Sequence, residues 1–288
     1  MSAPAYERPS RLADAIELMT RQEARALSGG TDLAVAMRHG KTGPGLIVDL
    51  KGIAELAPRI ERRDGFVEIS ANTVMTDIER HPHLQAVFPA LVEAAEVVGS
   101  VQIRNRATIA GNLANASPAA DTPPALLAFD AEVAIAGGNG PRLVPVDEFL
   151  VGYRATALAP SELITAVRLP DPEGTAGSAF LKLGVRKAME ISIVCVAASL
   201  SLAADGSITS AGIGLGSVAP RAIRPRSAEA LLVGSHPSTE LFANAGFAAG
   251  NESSPIDDLR AGADYRRAMV PILVRRALEK ALQRALNS

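Results

Sequence analysis

Two stretches of this 288-residue chain carry residue types suited to holding a ligand. The first is Ser28-Gly29-Gly30-Thr31-Asp32. Paired glycines let a ligand approach the main chain, and the amides that follow point outward where anions are favoured. The second runs from Ile103 to Asp121 and offers hydroxyls at Thr108 and Ser117, amides at Asn112 and Asn115, and a carboxylate at Asp121. Such groups each give or accept hydrogen bonds, which suits a ligand built from sugar and phosphate. Both stretches also have blander readings. A Gly-Gly turn can serve sterics alone, and a polar loop can cap its own backbone. Neither stretch matches the phosphate-binding P-loop or the G-x-G-x-x-G dinucleotide pattern, and no G-x-S-x-G, H-E-x-x-H or C-x-x-C is present. Many donors without a clustered acid, base and nucleophile favour holding a cofactor over hydrolysing a substrate.

The elements that must position these stretches can be read from periodicity. A helix is expected from about Ser10, its N-cap, with Leu12, Ala15, Ile16 and Met19 on one face. The strand ARALSGG, the helix DLAVAMRHG and the strand LIVDL then imply a small α/β unit with a parallel pair. FVEIS reads as a strand and residues 83–98 as a helix. Residues 99–124 lack strong periodicity and read as a long loop, of the kind that is functional or disordered. AEVAIAG, RLVPV and ELITAVRLP are further strands. PDPEGTAGS, residues 170–178, is the linker candidate. Beyond it, FLKLG, ISIVCVAASLSL and a turn at Asp205–Gly206 predict an antiparallel sheet, and the remainder is mainly helical, closing with a helix over about 264–286.

Composition narrows the function classes. With net charge −2 and no basic cluster, nucleic acid and anionic membrane surfaces are poor partners. No apolar run reaches the roughly 18–20 residues that span a bilayer, and the N-terminus has charges where a secretory signal is apolar, so a cytoplasmic address is expected. The single Cys195 excludes an internal disulfide, an iron–sulfur cluster or a zinc–thiolate site within this sequence. Redox chemistry here therefore needs an organic cofactor, or one in another chain.

At these residues the chain resembles the medium, FAD-binding subunit of the molybdenum hydroxylases, the family of xanthine dehydrogenase and aerobic carbon monoxide dehydrogenase. Five collinear blocks carry the likeness: SGGTDL, RNRATIAGNLANASPAADTPPALLAFDAEV, FLVGYRATALAPSELITAVRLP, FLKLGVRKAMEISIV and GADYRRAMVPILVRRAL. The resemblance implies an α+β fold. A FAD-binding domain over 1–173 has two subdomains, a small α/β unit and a mainly antiparallel sheet, with the break near 55. A smaller C-terminal domain of antiparallel sheet and helices spans 177–288.

It also implies roles. The amides of Ser28, Gly29, Gly30, Thr31 and Asp32 cradle the FAD diphosphate, bordered by Leu27 and Leu33. Thr108, Ile109, Ala110, Gly111 and Asn112 form the second turn, Asn115 and Ser117 extend it, and Asp121 meets the sugar-ribityl portion. Val98, Ile164 and Lys182 lie near the flavin or adenine, and the Lys182 charge tunes the flavin potential. Relatives carry two glycines where this chain has Ala110-Gly111, so the backbone at Ala110 must avoid positive φ. The implied partners are a small subunit with 2Fe–2S clusters and a large subunit with the molybdenum–pterin cofactor, assembled as a dimer of heterotrimers. Electrons pass from the clusters through FAD to an external acceptor, and substrate hydroxylation occurs in the large subunit. Two other readings fit the same motifs. One is a free-standing flavoprotein reductase or oxidase, for which no ring-side acid or base stands out. The other is a structural subunit without FAD, supported only by Ala110.

Overall fold

The first strands are short and lie parallel because helices return the chain between them. A computed structural model describes residues 3–186 and 188–287. Ala5–Glu7, Leu46–Asp49 and Ala24–Leu27 form a three-stranded sheet in that spatial order, both pairings parallel. The expected parallel pair is thus extended by a strand at the N-terminus, exposed along its length and not anticipated from the sequence. The first helix is Leu12–Met19. Its N-cap is Arg11, which makes no side-chain cap bond, and not the expected Ser10. The unpaired Leu12 amide is met by the Glu55 carboxylate at 3.3 Å.

A five-stranded antiparallel sheet follows, in the order Ile60–Arg63, Phe66–Ser70, Leu163–Pro170, Glu132–Gly137, Gly140–Pro145. Long-range pairing puts Leu163–Pro170 at its centre, where five of its eight residues are buried. The helix expected over 83–98 is two helices, Pro82–Val87 and Pro89–Glu96. Each begins with proline, which is tolerated only in a first turn.

The stretch 99–124 is not a loop. It folds into Val101–Arg104, Ile109–Ala114 and the start of Thr122–Ala128. The linker is also shorter than expected: only 171–174 separates strand Leu163–Pro170 from strand Thr175–Leu183.

Thr175–Leu183, Val194–Leu202 and Ile208–Gly216 form an antiparallel meander closed by the turn at Gly206, whose φ is +84°. Both faces of this sheet are covered. On one face Thr122–Ala128 lies against Gly212 and Gly214, where an added Cβ would stand 2.0 Å from the carbonyl oxygens of Ala128 and Pro124. On the other the closing helix Ala263–Leu286 approaches Gly177, where a Cβ would stand 2.2 Å from the Ala281 carbonyl. The apolar interior accordingly falls into two clusters. One gathers the N-terminal elements with Phe180, Cys195 and Ala197 from the meander, and the other lies between the meander and helices Arg226–Leu232, Thr239–Asn251 and Ala263–Leu286. The α+β class expected from the sequence is the class observed. No helix among the described residues is long and apolar enough to cross a membrane.

Candidate functional site

The first turn leaves strand Ala24–Leu27 and enters helix Leu33–Arg38. Its two glycines are required for different reasons. A Cβ on Gly29 would lie 2.1 Å from the Arg106 carbonyl oxygen, which is impossible. Gly30 has φ +75°, in the region L side chains avoid. Among the described residues the amides of Gly29, Gly30, Thr31 and Asp32 have no acceptor within the chain. They form a compact set of main-chain donors of the kind that suits an oxyanion. Leu27 and Leu33 flank it, both half-buried.

The second turn is held by backbone pairing to residues 73–75. Met75 N–H donates to Ala107 O at 2.9 Å and Ile109 N–H to Thr73 O at 3.2 Å. Thr108 then caps helix Ile109–Ala114, its Oγ1 accepting from the Gly111 amide at 3.1 Å. Ala110 is buried in the first turn of this helix and is not among the residues with positive φ, so its methyl group is accommodated. Thr108 and Ala110 keep amides without an acceptor among the described residues.

These turns touch. Ser28 Oγ donates to Asn72 Oδ1 at 2.6 Å and lies 3.2 Å from Thr108 Oγ1. Asn115 Nδ2 donates to Asp32 Oδ1 at 3.0 Å, and the Arg106 carbonyl fills the space beside Gly29. Arg154 closes the arrangement, donating to Asn115 Oδ1 at 2.9 Å while its own amide meets Ala116 O at 3.2 Å. Lys51 Nζ donates to the Ser28 carbonyl oxygen at 3.3 Å. Asn72, Lys51 and Arg154 therefore lie against the turns although sequence reasoning assigned them no role. Arg154 lies inside a block that carried the resemblance, and Asn72 lies two residues past the end of strand Phe66–Ser70. Those were the available signals.

The remaining expected residues form a second cluster. Lys182 Nζ donates to Asp121 Oδ2 at 2.9 Å, Glu190 O at 3.0 Å and Val97 O at 3.4 Å, beside the buried Val98. Ser192 Oγ donates to Asp121 Oδ1 at 2.8 Å. The immediate partners of Asp121 and Lys182 are thus within the chain, and include each other. Burial raises the Asp121 pKa above the usual carboxylate value, with Lys182 and Ser192 offsetting part of the shift. The neighbouring Cys195 thiol is pushed up to about 12 by burial and by the Asp121 charge. Thr122, next to Asp121, donates to Asn112 Oδ1 at 2.6 Å and so ties this cluster to the second turn. Ser117 Oγ accepts locally from Ala119 N–H at 3.3 Å. Ile164 is buried opposite Ile135 on a strand that packs against helix Ile109–Ala114, and no polar contact joins it to the turns. Among the described residues no three or more His, Cys, Asp or Glu are grouped to hold a metal ion.

Amides and hydroxyls from two touching turns, flanked by two cations, suit a phosphate-bearing ligand. Comparison with known proteins agrees. A family model for the FAD binding domain in molybdopterin dehydrogenase matches residues 2–172, and one for the CO dehydrogenase flavoprotein C-terminal domain matches 179–281. The carbon monoxide dehydrogenase medium chain of Afipia carboxidovorans is 33% identical over 284 residues, covering 98% of both chains. A putative xanthine dehydrogenase FAD-binding subunit of Escherichia coli is 30% identical, covering 98% of this chain and 97% of its own. Among solved structures, a chain of carbon monoxide dehydrogenase from Hydrogenophaga pseudoflava superposes with a TM-score of 0.94 at 33% identity, with 98% of each chain covered. A chain of quinoline 2-oxidoreductase from Pseudomonas putida 86 gives 0.91 at 28% identity, with 99% of each covered.

Proposed function

The chain belongs to the FAD-binding medium subunits of the molybdenum hydroxylase family, and on that premise we propose that it grips the FAD diphosphate between its two glycine turns and conducts electrons out of a larger complex. The observation that carries this reading is the contact between the turns, about 80 residues apart in sequence, made through Ser28, Thr108 and the Arg106 carbonyl beside Gly29. A separation of 80 residues is closed only by tertiary packing, and the amides left without acceptors lie on both sides of that junction.

Within this reading Gly29, Gly30, Thr31 and Asp32 donate to one set of phosphate oxygens, and Thr108 and Ala110 to the other. Asn115 and Arg154 hold the Asp32 end of the first turn in place. Leu27, Leu33, Val98 and Ile164 give the site its apolar boundary. Asp121 and Lys182, paired and buried, fix the C-terminal sheet against the FAD-binding domain and set the field at the cofactor's edge. Bound FAD supplies the exchange between single-electron and paired-electron transfer.

The sources of the electrons lie in other chains. A cluster needs several thiolates, and the one cysteine here is buried as a thiol. The reading therefore calls for a small subunit with 2Fe–2S clusters and a large subunit with the molybdenum–pterin centre, in a dimer of heterotrimers. The divisions of the chain follow the same logic: 1–173 holds the cofactor, with its internal break near 55, and 177–288 closes over it. Purification alone and with its partners tests this. The chain by itself is expected to show flavin absorption bands, with iron and molybdenum appearing only in the complex. A colourless chain that takes up no added FAD would overturn the proposal.

A further inference from the structure

The parallel sheet brings three polar groups together at the carboxyl ends of its strands, the edge at which ligands of α/β sheets are held. Asp49 ends the central strand and is buried. On one side the Tyr6 hydroxyl donates to its Oδ2. On the other the Lys51 ammonium stands 2.7 Å from its Oδ1. Burial alone would raise the Asp49 pKa, but hydrogen bonds from Lys51 and Tyr6 outweigh it and hold the carboxyl below its ordinary range. The carboxylate thus fixes Lys51 in one place, and the Lys51 backbone amide adds a bond to the same Oδ1 at 3.0 Å. From there Nζ reaches the Ser28 carbonyl oxygen at 3.3 Å.

That carbonyl belongs to the peptide joining Ser28 to Gly29. That peptide is trans, as no cis bond occurs among the described residues, so this C=O and the Gly29 N–H point in opposite directions. A cation bonded to the oxygen draws electron density away from the nitrogen and strengthens the N–H as a donor on the far side, the cooperative effect seen in hydrogen-bonded chains. The Gly29 N–H is one of the amides with no acceptor among the described residues. The geometry points to Lys51 as a positioning residue for a diphosphate ligand: held by Asp49 and Tyr6, it polarises the Ser28–Gly29 peptide and thereby strengthens the first turn's grip on phosphate oxygen. This inference rests on the flavin-dinucleotide reading of the turns and adds the device that charges one of them.

The role is specific to phosphate, and that separates it from a merely structural one. Affinities of the full chain, freed of flavin, are measured for FAD, ADP and riboflavin, beside the thermal midpoint. Lys51→Met is expected to weaken FAD and ADP by roughly two- to fivefold while riboflavin, which has no phosphate, is unchanged. Lys51→Arg, which keeps the cation, restores FAD and ADP affinity. Lys51→Gln keeps a donor to Ser28 without the charge, falls between, and serves if the methionine variant does not fold. Unchanged FAD and ADP affinity in the neutral variants overturns the inference and leaves the FAD reading intact. Equal weakening of riboflavin overturns it too, since a structural defect would account for that. Wild-type chain that binds no FAD overturns both.

Discussion

Asp121 and Lys182 pair in a place where neither would be stable alone. Their side chains are 9% and 10% exposed. Removing one partner of such a buried pair leaves an uncompensated charge, at a cost of about 3–5 kcal/mol. The sign of the pH dependence follows from Asp121. Its folded pKa lies above the unfolded value of 3.8, so its contribution is complete below that value and is lost as pH rises through the folded pKa. Lys182→Met removes the main offset to burial and raises that pKa further. Urea unfolding should therefore show the variant's loss to be larger at pH 8 than at pH 4. An equal loss at both pH values would mean that Asp121 is not the group left behind. At this scale the sequence made some residues legible and hid others. Gly29 and Gly30 stand out by type, since few residues can occupy such a turn. Lys51, Asn72 and Arg154 do not, because their place depends on which strand ends lie side by side, and that is settled by pairing between distant segments.

Thr122–Ala128 is the element that joins the two halves, and all seven of its residues are buried. A helix buried on every side has no polar stripe, so periodicity does not reveal it. That is part of why residues 99–124 read as a loop when half of them fold into short helices. The antiparallel meander, in contrast, was legible from its β-branched runs and the Asp205–Gly206 turn. What permits the helix to lie flat on that sheet is the alternation of Gly212 and Gly214 on the facing side, since a strand turns every second residue to the same face. A Cβ at Gly214 would stand 2.0 Å from the Pro124 carbonyl oxygen, and that oxygen is backbone and cannot swing aside. Gly214→Ala should cost about 1–3 kcal/mol in chemical denaturation. A variant as stable as wild type would show that the helix does not pack there as described.

At the scale of the whole molecule, one sheet contributes to both apolar cores, and the halves are further tied by charge. Glu93, on Pro89–Glu96, accepts from Lys280 at 2.6 Å and from Arg284 at 2.7 Å on the closing helix. The other Glu93 oxygen accepts from the Phe180 amide at 2.8 Å, so helix Pro89–Glu96 is tied to both the closing helix and the C-terminal sheet. The family, the α+β class and the two glycine turns were all legible in the sequence. Their convergence was legible only through the family resemblance, because nothing local in either turn encodes the other. That contact is the centre of the functional account, and a crystal structure of the chain with FAD tests it most directly. The account predicts diphosphate oxygens within about 3 Å of amides from both turns, Gly29–Asp32 on one side and Thr108 or Ala110 on the other. A diphosphate held by one turn alone, or FAD bound elsewhere on the chain, would contradict it.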